Sequence, residues 1–291
     1  MSIPGFCVNL IDESLALSRR QKAHGWIEWH AVFALANMAY WRLDIVSSSA
    51  LFEACVVLAR QVGDAQMLGT SLNELGDAVT AQLDFARAAT LCEEALQIFR
   101  QTVNPTSLEE VLHRLAVALL LLGQLDRAQV YAEEMYLISL EYDLRNGVGG
   151  ALSLLGHIAR DQGEYTQATL RFKESLVWYH QKTTTLSNWG GIALAGLGTV
   201  ASLQGQHPRA ARLYGAIEAW QQRLNMLRLP HNQILHGRHI ATTRTALGDA
   251  AYEAAFAEGQ AMTSQQAFEY ALEGGDPKET VEAKHSGVRR G

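Results

Sequence analysis

The stretch Leu152-Ser-Leu-Leu155-Gly156-His157-Ile-Ala-Arg160-Asp-Gln-Gly163-Glu-Tyr165-Thr-Gln-Ala168-Thr-Leu-Arg-Phe172 decides the fold, because its pattern recurs along the chain. Leu152 and Leu155 share one face of a helix, and Gly156 beside them lets a second backbone approach without a side chain between. Gly163 suits the left-handed position that ends a helix, after which Glu164-Tyr165 restarts the chain. Ala168 and Phe172, one turn apart, form the inward side of that second helix. So short a turn folds the two helices back as an antiparallel hairpin.

Three further segments align on the same register. The leucine pair and its small neighbour return as Leu72, Leu75 and Gly76, as Leu112, Leu115 and Ala116, and as Leu194, Leu197 and Gly198. The turn positions are Leu83, Gly123 and Gly205, followed two residues later by Phe85, Leu125 and His207. The inward pairs are Ala88 and Cys92, Ala128 and Ala132, and Ala210 and Tyr214. The spacing is 40, 40 and then 42 residues. A fifth, weaker copy precedes them at Val32, Leu35, Ala36, Ile45 and Ser48, with no glycine in its turn. A single hairpin cannot bury its own stripe, so the hairpins must stack.

The composition agrees. Of 291 residues 48% are apolar and 19% charged, and only 5 are proline, none of them between Pro4 and Pro105. The apolar residues are mainly Ala and Leu, which favours helices over strands and argues against an all-β domain. A net charge of −6 is the wrong sign for a chain that coats phosphate backbone, so no direct nucleic-acid partner is expected. Cys7, Cys55 and Cys92 are too few and too widely spread for a disulfide framework and are expected to be reduced core residues. Asp12, Glu13, Arg19, Arg20 and Lys22 interrupt any apolar core of a secretory signal, which leads to the expectation of a cytoplasmic protein. The uncharged stretch Thr183 to Gln206 is apolar only from Trp189 to Leu203 and carries four glycines, short of the roughly 18 residues a spanning helix needs, so no membrane partner is expected.

The combination Leu155-Gly156, Gly163, Tyr165, Ala168 and Phe172 resembles the tetratricopeptide repeat. The 40-residue period, with joints at Gly-Asp-Ala-Gln-Met (63 to 67) and Asp-Leu-Arg-Asn-Gly (143 to 147), resembles the longer MalT-like variety found C-terminal to the ATPase module of bacterial regulators. Leu247-Gly248-Asp249, Phe256, Glu258-Gly259, Met262 and Ala267 to Leu272 are similar to the end of the repeat region in LuxR-type regulators, so the resemblance spans roughly residues 7 to 274. It implies an all-α right-handed solenoid of about five hairpins with C-terminal capping helices. No Gly-x4-Gly-Lys-Ser/Thr phosphate loop and no basic helix-turn-helix segment occurs, so only the sensor or scaffold part of such regulators is encoded.

The expected division is a half-repeat helix at 1–22, repeats at 23–225, capping helices at 226–274 and a disordered tail at 275–291. Ile11 to Arg20 reads as a second helix whose first helix is missing, as in a stand-alone remnant or a piece of a longer product. After Leu229-Pro230, helices are expected over Gln233 to Leu247, over Asp249 to Glu258 with Asp249 as its cap and Gly259 as its stop, and from the capping box Thr263-Ser-Gln-Gln266 to Glu273.

Catalytic signatures are absent. Gly196-Leu-Gly-Thr-Val-Ala201 fits a dinucleotide fingerprint in letters, but no strand precedes it and helix packing explains its glycines. His231, His236 and His239 only partly share a helix face and have no acidic partner among them, so they are expected to be surface histidines rather than metal ligands. Neither a Gly-x-Ser-x-Gly elbow nor a His-Glu-x-x-His helix occurs, and no enzyme activity and no cofactor is expected.

In tetratricopeptide solenoids the first helices line the concave groove. Carried over by repeat position, the resemblance selects His30 and Asn37 in the weak copy, Asn73, Glu74 and Asp77, His113 and Arg114, and His157. Tyr40, Trp41 and Arg160 lie one turn further along that face. Such a groove can hydrogen-bond an extended peptide backbone, so a protein or peptide partner is expected there. A small effector that controls an ATPase or DNA-binding module is the alternative occupant.

Overall fold

The computed structural model describes residues 24–102, 104–182, 188–224 and 230–273. Thirteen helices and no strand are found among them. Five antiparallel pairs follow one another: α1 (His24–Trp41) with α2 (Ile45–Val62), α3 (Ala65–Ala81) with α4 (Phe85–Thr102), α5 (Pro105–Leu121) with α6 (Leu125–Glu141), α7 (Arg145–Asp161) with α8 (Tyr165–Lys182), and α9 (Asn188–Leu203) with α10 (His207–Leu224). Then come α11 (Pro230–Leu247), α12 (Asp249–Gln260) and α13 (Ser264–Leu272). From α1 to α12 each helix packs on its neighbours in the chain, and α13 packs back on α10 and α8, which makes the chain an all-α solenoid. The expected half-helix at 11–20, Cys7 and the tail beyond 273 lie outside the described residues.

From α2 to α8 the helices begin every 20 residues, so the 40-residue repeat is two equal half-units. The starts are fixed by side-chain caps on α2, α3 and α5, where Asp44, Asp64 and Asn104 accept from the backbone N–H three residues on. Asp84 caps α4 in the same way, accepting from the Arg87 N–H. The three-residue turns within pairs need one residue with positive φ. Gly123, Gly163 and Gly205 supply it in the register read from the sequence, and Leu43 and Leu83 are forced into the same region where glycine is lacking. The joints before α3 and α7 are no longer than these turns, with α3 and α7 starting at Ala65 and Arg145, inside the segments 63–67 and 143–147 expected to be joints.

The small residue of each repeat faces its own second helix. A Cβ on Gly76 would stand 2.6 Å from Cys92 Sγ, on Gly156 2.7 Å from the Phe172 ring, and on Gly198 2.9 Å from the Tyr214 ring. Cys92 and Phe172 are fully buried. Cys55 and Cys92 are free, and burial pushes both thiols up to about 12, as suits unreactive core residues.

First and second helices pack differently. The first helices of successive pairs touch, α3 on α5, α5 on α7 and α7 on α9, whereas the second helices stand further apart. That difference bends the stack and puts the first helices on its inner side. Across the outer side the second helices are bridged by ion pairs: Arg87 of α4 to Glu53 and Arg60 to Glu94 of α4, then Arg127 of α6 to Glu93 and Arg100 to Glu134 of α6. By length and hydropathy α2 could cross a membrane. Here it packs between α1 and α3 and carries Glu53 and Arg60 of that ladder.

At the C-terminal end the expected capping box of α13 is present, with the Thr263 hydroxyl accepting from the Gln266 N–H and the Gln266 side chain accepting from the Thr263 N–H. The expected aspartate cap of α12 is not found. Gly248 (φ 77°) holds the cap position, because the chain reverses there, and Asp249 becomes the first helical residue. Gly259, expected to stop α12, lies within it against the Arg212 backbone of α10, and Gly215 of α10 lies against the Phe256 carbonyl. The two glycines let α10 and α12 cross with backbones in contact. Arg209 donates to the carbonyls of Tyr270, Ala271 and Glu273, which closes the end of α13.

Candidate functional site

The eleven residues selected from the sequence fall on the four first helices α1, α3, α5 and α7. The structure joins several of them into one network across three helices. Tyr40 of α1 donates to Asp77 Oδ2 of α3 at 2.7 Å, and Arg114 Nη1 of α5 donates to Glu74 Oε1 of α3 at 2.8 Å. Burial, followed by the charge of Asp77, raises the Tyr40 phenol far above its usual range, so it stays a donor. Burial works against the charge of Arg114, but Glu74 and Asp77 outweigh it and hold the guanidinium protonated. Glu110, also on α5, adds a third carboxylate to the field around Arg114. Three carboxylates around one guanidinium leave this part of the inner face negative.

A second group lies on α7. Arg160 Nη1 meets His157 Nδ1 at 2.9 Å and Arg160 Nε donates to Asp161 at 2.7 Å, while the His157 ring stands edge-on to Phe172. His157 and Arg160 are buried, at 2% and 4% exposure, and Asn73 is buried at 2%. These three form the floor beneath the inner face rather than its accessible rim. Asn73 Oδ1 accepts no hydrogen bond among the described residues. A buried amide oxygen without a donor costs about 1–3 kcal/mol, which an incoming N–H would recover.

The accessible members are fewer. His30 is exposed and its Nδ1 lies 2.8 Å from the Trp26 carbonyl, Trp41 is 68% exposed, and His113 is half-buried. Asn37 donates to the Phe33 carbonyl one turn back on its own helix, which leaves its side-chain oxygen as the acceptor available to a partner. The sequence reading missed Glu110, although it occupies the second position of the repeat register on α5.

Among the described residues no three His, Cys, Asp or Glu side chains converge in a way that would hold a metal ion. The side chains of His231 and His236 lie outside the described set. His239 is buried on α11, where its backbone carbonyl accepts from Ser202 and Thr243. A separate cleft of about 570 Å³ opens on the other side of the stack between α6, α7 and α8, lined by Glu133, Tyr136, Leu137, Gln162 and Gln167 among others.

Residues 67–141 match the model of the tetratricopeptide repeat family, covering α3 to α6. Among solved structures the chain is similar to a Rap protein complexed with Competence and Sporulation Factor, at 13% identity and a TM-score of 0.61 over 91% of this chain and 76% of that one. It is also similar to the apo form of RapI, at 13% identity and a TM-score of 0.56 over 91% of this chain and 79% of that one. BtubC from P. vanneervenii matches at 20% identity and a TM-score of 0.54, over 82% of this chain and 96% of that one. At these identities the likeness is one of fold. No curated protein sequence matches the chain.

Proposed function

We propose that this tetratricopeptide-repeat chain is a non-catalytic scaffold that holds a protein or peptide segment on the inner face formed by α1, α3, α5 and α7. The observation that carries the reading is the buried carbonyl oxygen of Asn73, without a donor, beside the Tyr40–Asp77 and Arg114–Glu74 bonds. An extended backbone brings N–H groups to such acceptors. The accessible side chains of His30, Asn37, Trp41 and His113 would hold the bound segment from the rim, with Asn73, His157 and Arg160 beneath. The repeats at 23–225, the preceding half-repeat at 1–22, the capping helices at 226–274 and the tail at 275–291 form the working division of the chain.

The setting we infer is bacterial signalling or transcription regulation in the cytoplasm, on the MalT-like character of the repeats. The likeness to a Rap protein whose structure holds Competence and Sporulation Factor supports a ligand-sensing version of the same device. The test is capture with the full chain, followed by binding of the purified partner to wild type, to an Asn37→Ala/Trp41→Ala/His113→Ala variant, and to an outer-side control, Val130→Ser/Leu137→Ser. The inner-face variant is expected to lose at least about tenfold in affinity, near 1.4 kcal/mol, with the control unchanged. Loss in the control alone would refute the assignment.

A second reading has one observation in its favour. The cleft between α6, α7 and α8 is of a volume that suits a small molecule. An effector seated there would be lost from a Tyr136→Ala/Gln162→Ala variant that still bound its protein partner.

A further inference from the structure

We propose that α11 is an occupant of the inner face supplied by the chain itself, and that the segment which replaces it is basic and free of carboxylates. The inference rests on the reading of the inner face as a partner site and states what regulates that site and what chemistry it selects.

The first observation is where α11 goes. After α10 the next first helix should stack on α9 and pack fully against α10. α11 does stack on α9, but α12 makes the close, glycine-mediated crossing with α10, so α11 packs only lightly on α10. It still touches α9 and α10, but it also reaches α3, which precedes it by more than three repeats. A helix that touches both α3 and α9 must cross the inner side of the stack, because first helices line that side.

The second observation is how α11 is held. Its seat on α9 is a polar latch: the Thr243 hydroxyl lies 2.7 Å from Ser202 Oγ, Ser202 Oγ donates to the His239 carbonyl at 3.3 Å, and Thr243 donates to the same carbonyl at 2.7 Å. Ser202, His239 and Thr243 are all buried. Two of its large apolar side chains, Ile234 and Ile240, are instead exposed, at 45% and 36%. Among the described residues of α11, a seat made by these hydrogen bonds with Ile234 and Ile240 in water suits a helix that exchanges.

The third observation is charge. The inner face of α3 and α5 presents Glu74, Asp77 and Glu110 around the single guanidinium of Arg114. The 18 residues of α11 include Arg238, Arg244, His231, His236 and His239 and no Asp or Glu. Arg244 is engaged with Asp249 and Glu253 of α12, which ties the C-terminal end of α11 to α12. A competitor of the same composition meets the same field.

The test uses the full chain and a labelled synthetic peptide with the sequence of residues 230–247. Fluorescence anisotropy compares its binding to wild type, to Ser202→Leu, which breaks the latch, and to Ser202→Leu combined with Glu110→Gln. Opening the latch is expected to tighten peptide binding at least tenfold, and Glu110→Gln to take back a several-fold part of that gain. Equal binding to wild type and Ser202→Leu would overturn the proposal. A second measurement does not depend on the latch variant folding. Spin labels at the exposed positions Gln66→Cys and Ile240→Cys, with Cys7→Ser to remove background, report the distance from α3 to α11 in the otherwise native chain. One short distance that lengthens on adding excess peptide is expected; a distribution unmoved at saturating peptide would overturn the proposal. If the captured partner binds the inner face while the label distance stays fixed, the scaffold reading stands and this inference fails. If the distance responds to the peptide but no partner is sensitive to the inner-face variant, the reverse holds.

Discussion

Leu83 holds a φ of 70°, the left-handed region that the later repeats reach with Gly123, Gly163 and Gly205. Its side chain is 45% exposed, so little packing offsets the strain, which is about 1–2 kcal/mol for an L-residue. Leu83→Gly is expected to stabilise the chain by roughly 0.5–1 kcal/mol after the added freedom of the unfolded glycine is subtracted, read as a higher thermal midpoint. The opposite holds at Gly156, where a side chain would drive into the buried Phe172 ring. Gly156→Trp should wedge the α7–α8 hairpin apart and cost more than the roughly 1–3 kcal/mol typical of an overpacked core. An unchanged melt would refute the packing register. Glu109 gives a pH dependence. Burial, then the neighbouring Glu110, pushes its carboxyl up to about 7. The folded chain therefore binds more protons than the unfolded one between the usual carboxylate range and pH 7, and stability falls as pH rises through that window. Glu109→Gln should flatten the decline and leave the variant more stable at pH 8, as denaturation across pH 4 to 8 would measure. The packing pairs at this scale were legible in the sequence because glycine opposite a bulky residue recurs at fixed spacing. Glu109 was not, because its burial at the α5–α7 contact, with its Cγ in the path of a Gly147 side chain, is a matter of tertiary packing.

The outer ladder belongs to the scale of elements. Two Arg–Glu pairs join α2 to α4 and two join α4 to α6, but Gln167 and Leu140 stand one repeat on from Arg127 and Arg100. The ladder therefore ends at α6, Glu133 is bonded by Gln129 of its own helix, and the 570 Å³ cleft opens at that seam. Gln167→Arg should restore a rung to Glu133 and raise stability by about 0.2–1 kcal/mol at low salt, with the gain disappearing in high salt. No gain at low ionic strength would argue that the cleft is fixed by packing and not by missing charge. Helix pairs, their order and the capping box at Thr263 follow from local pattern, and so were readable. The joints were read too long because Gly63-Asp64 alone completes the turn: Gly63 takes φ 77° and Asp64 caps α3. Gly259 was misjudged for a different reason, since nothing local distinguishes a glycine that ends a helix from one that admits a neighbour.

For the whole molecule, the stack is mainly a set of neighbour contacts among the described residues; α13 reaches back to α8, and α11 reaches further, to α3. That reach was invisible in the sequence, because no repeat pattern predicts where the chain goes after the repeats cease. The inner-face candidates were legible only as positions. The structure separates them into a buried floor of Asn73, His157 and Arg160, a charged network at Tyr40, Glu74, Asp77 and Arg114, and a rim at His30, Asn37, Trp41 and His113. On the proposed function, a partner segment lies on this inner face. Amide hydrogen exchange of the full chain, with and without the purified captured partner, tests it most directly. Slower exchange on α1, α3, α5 and α7 on adding the partner is the predicted result, while protection confined to α2, α4 and α6 would contradict it.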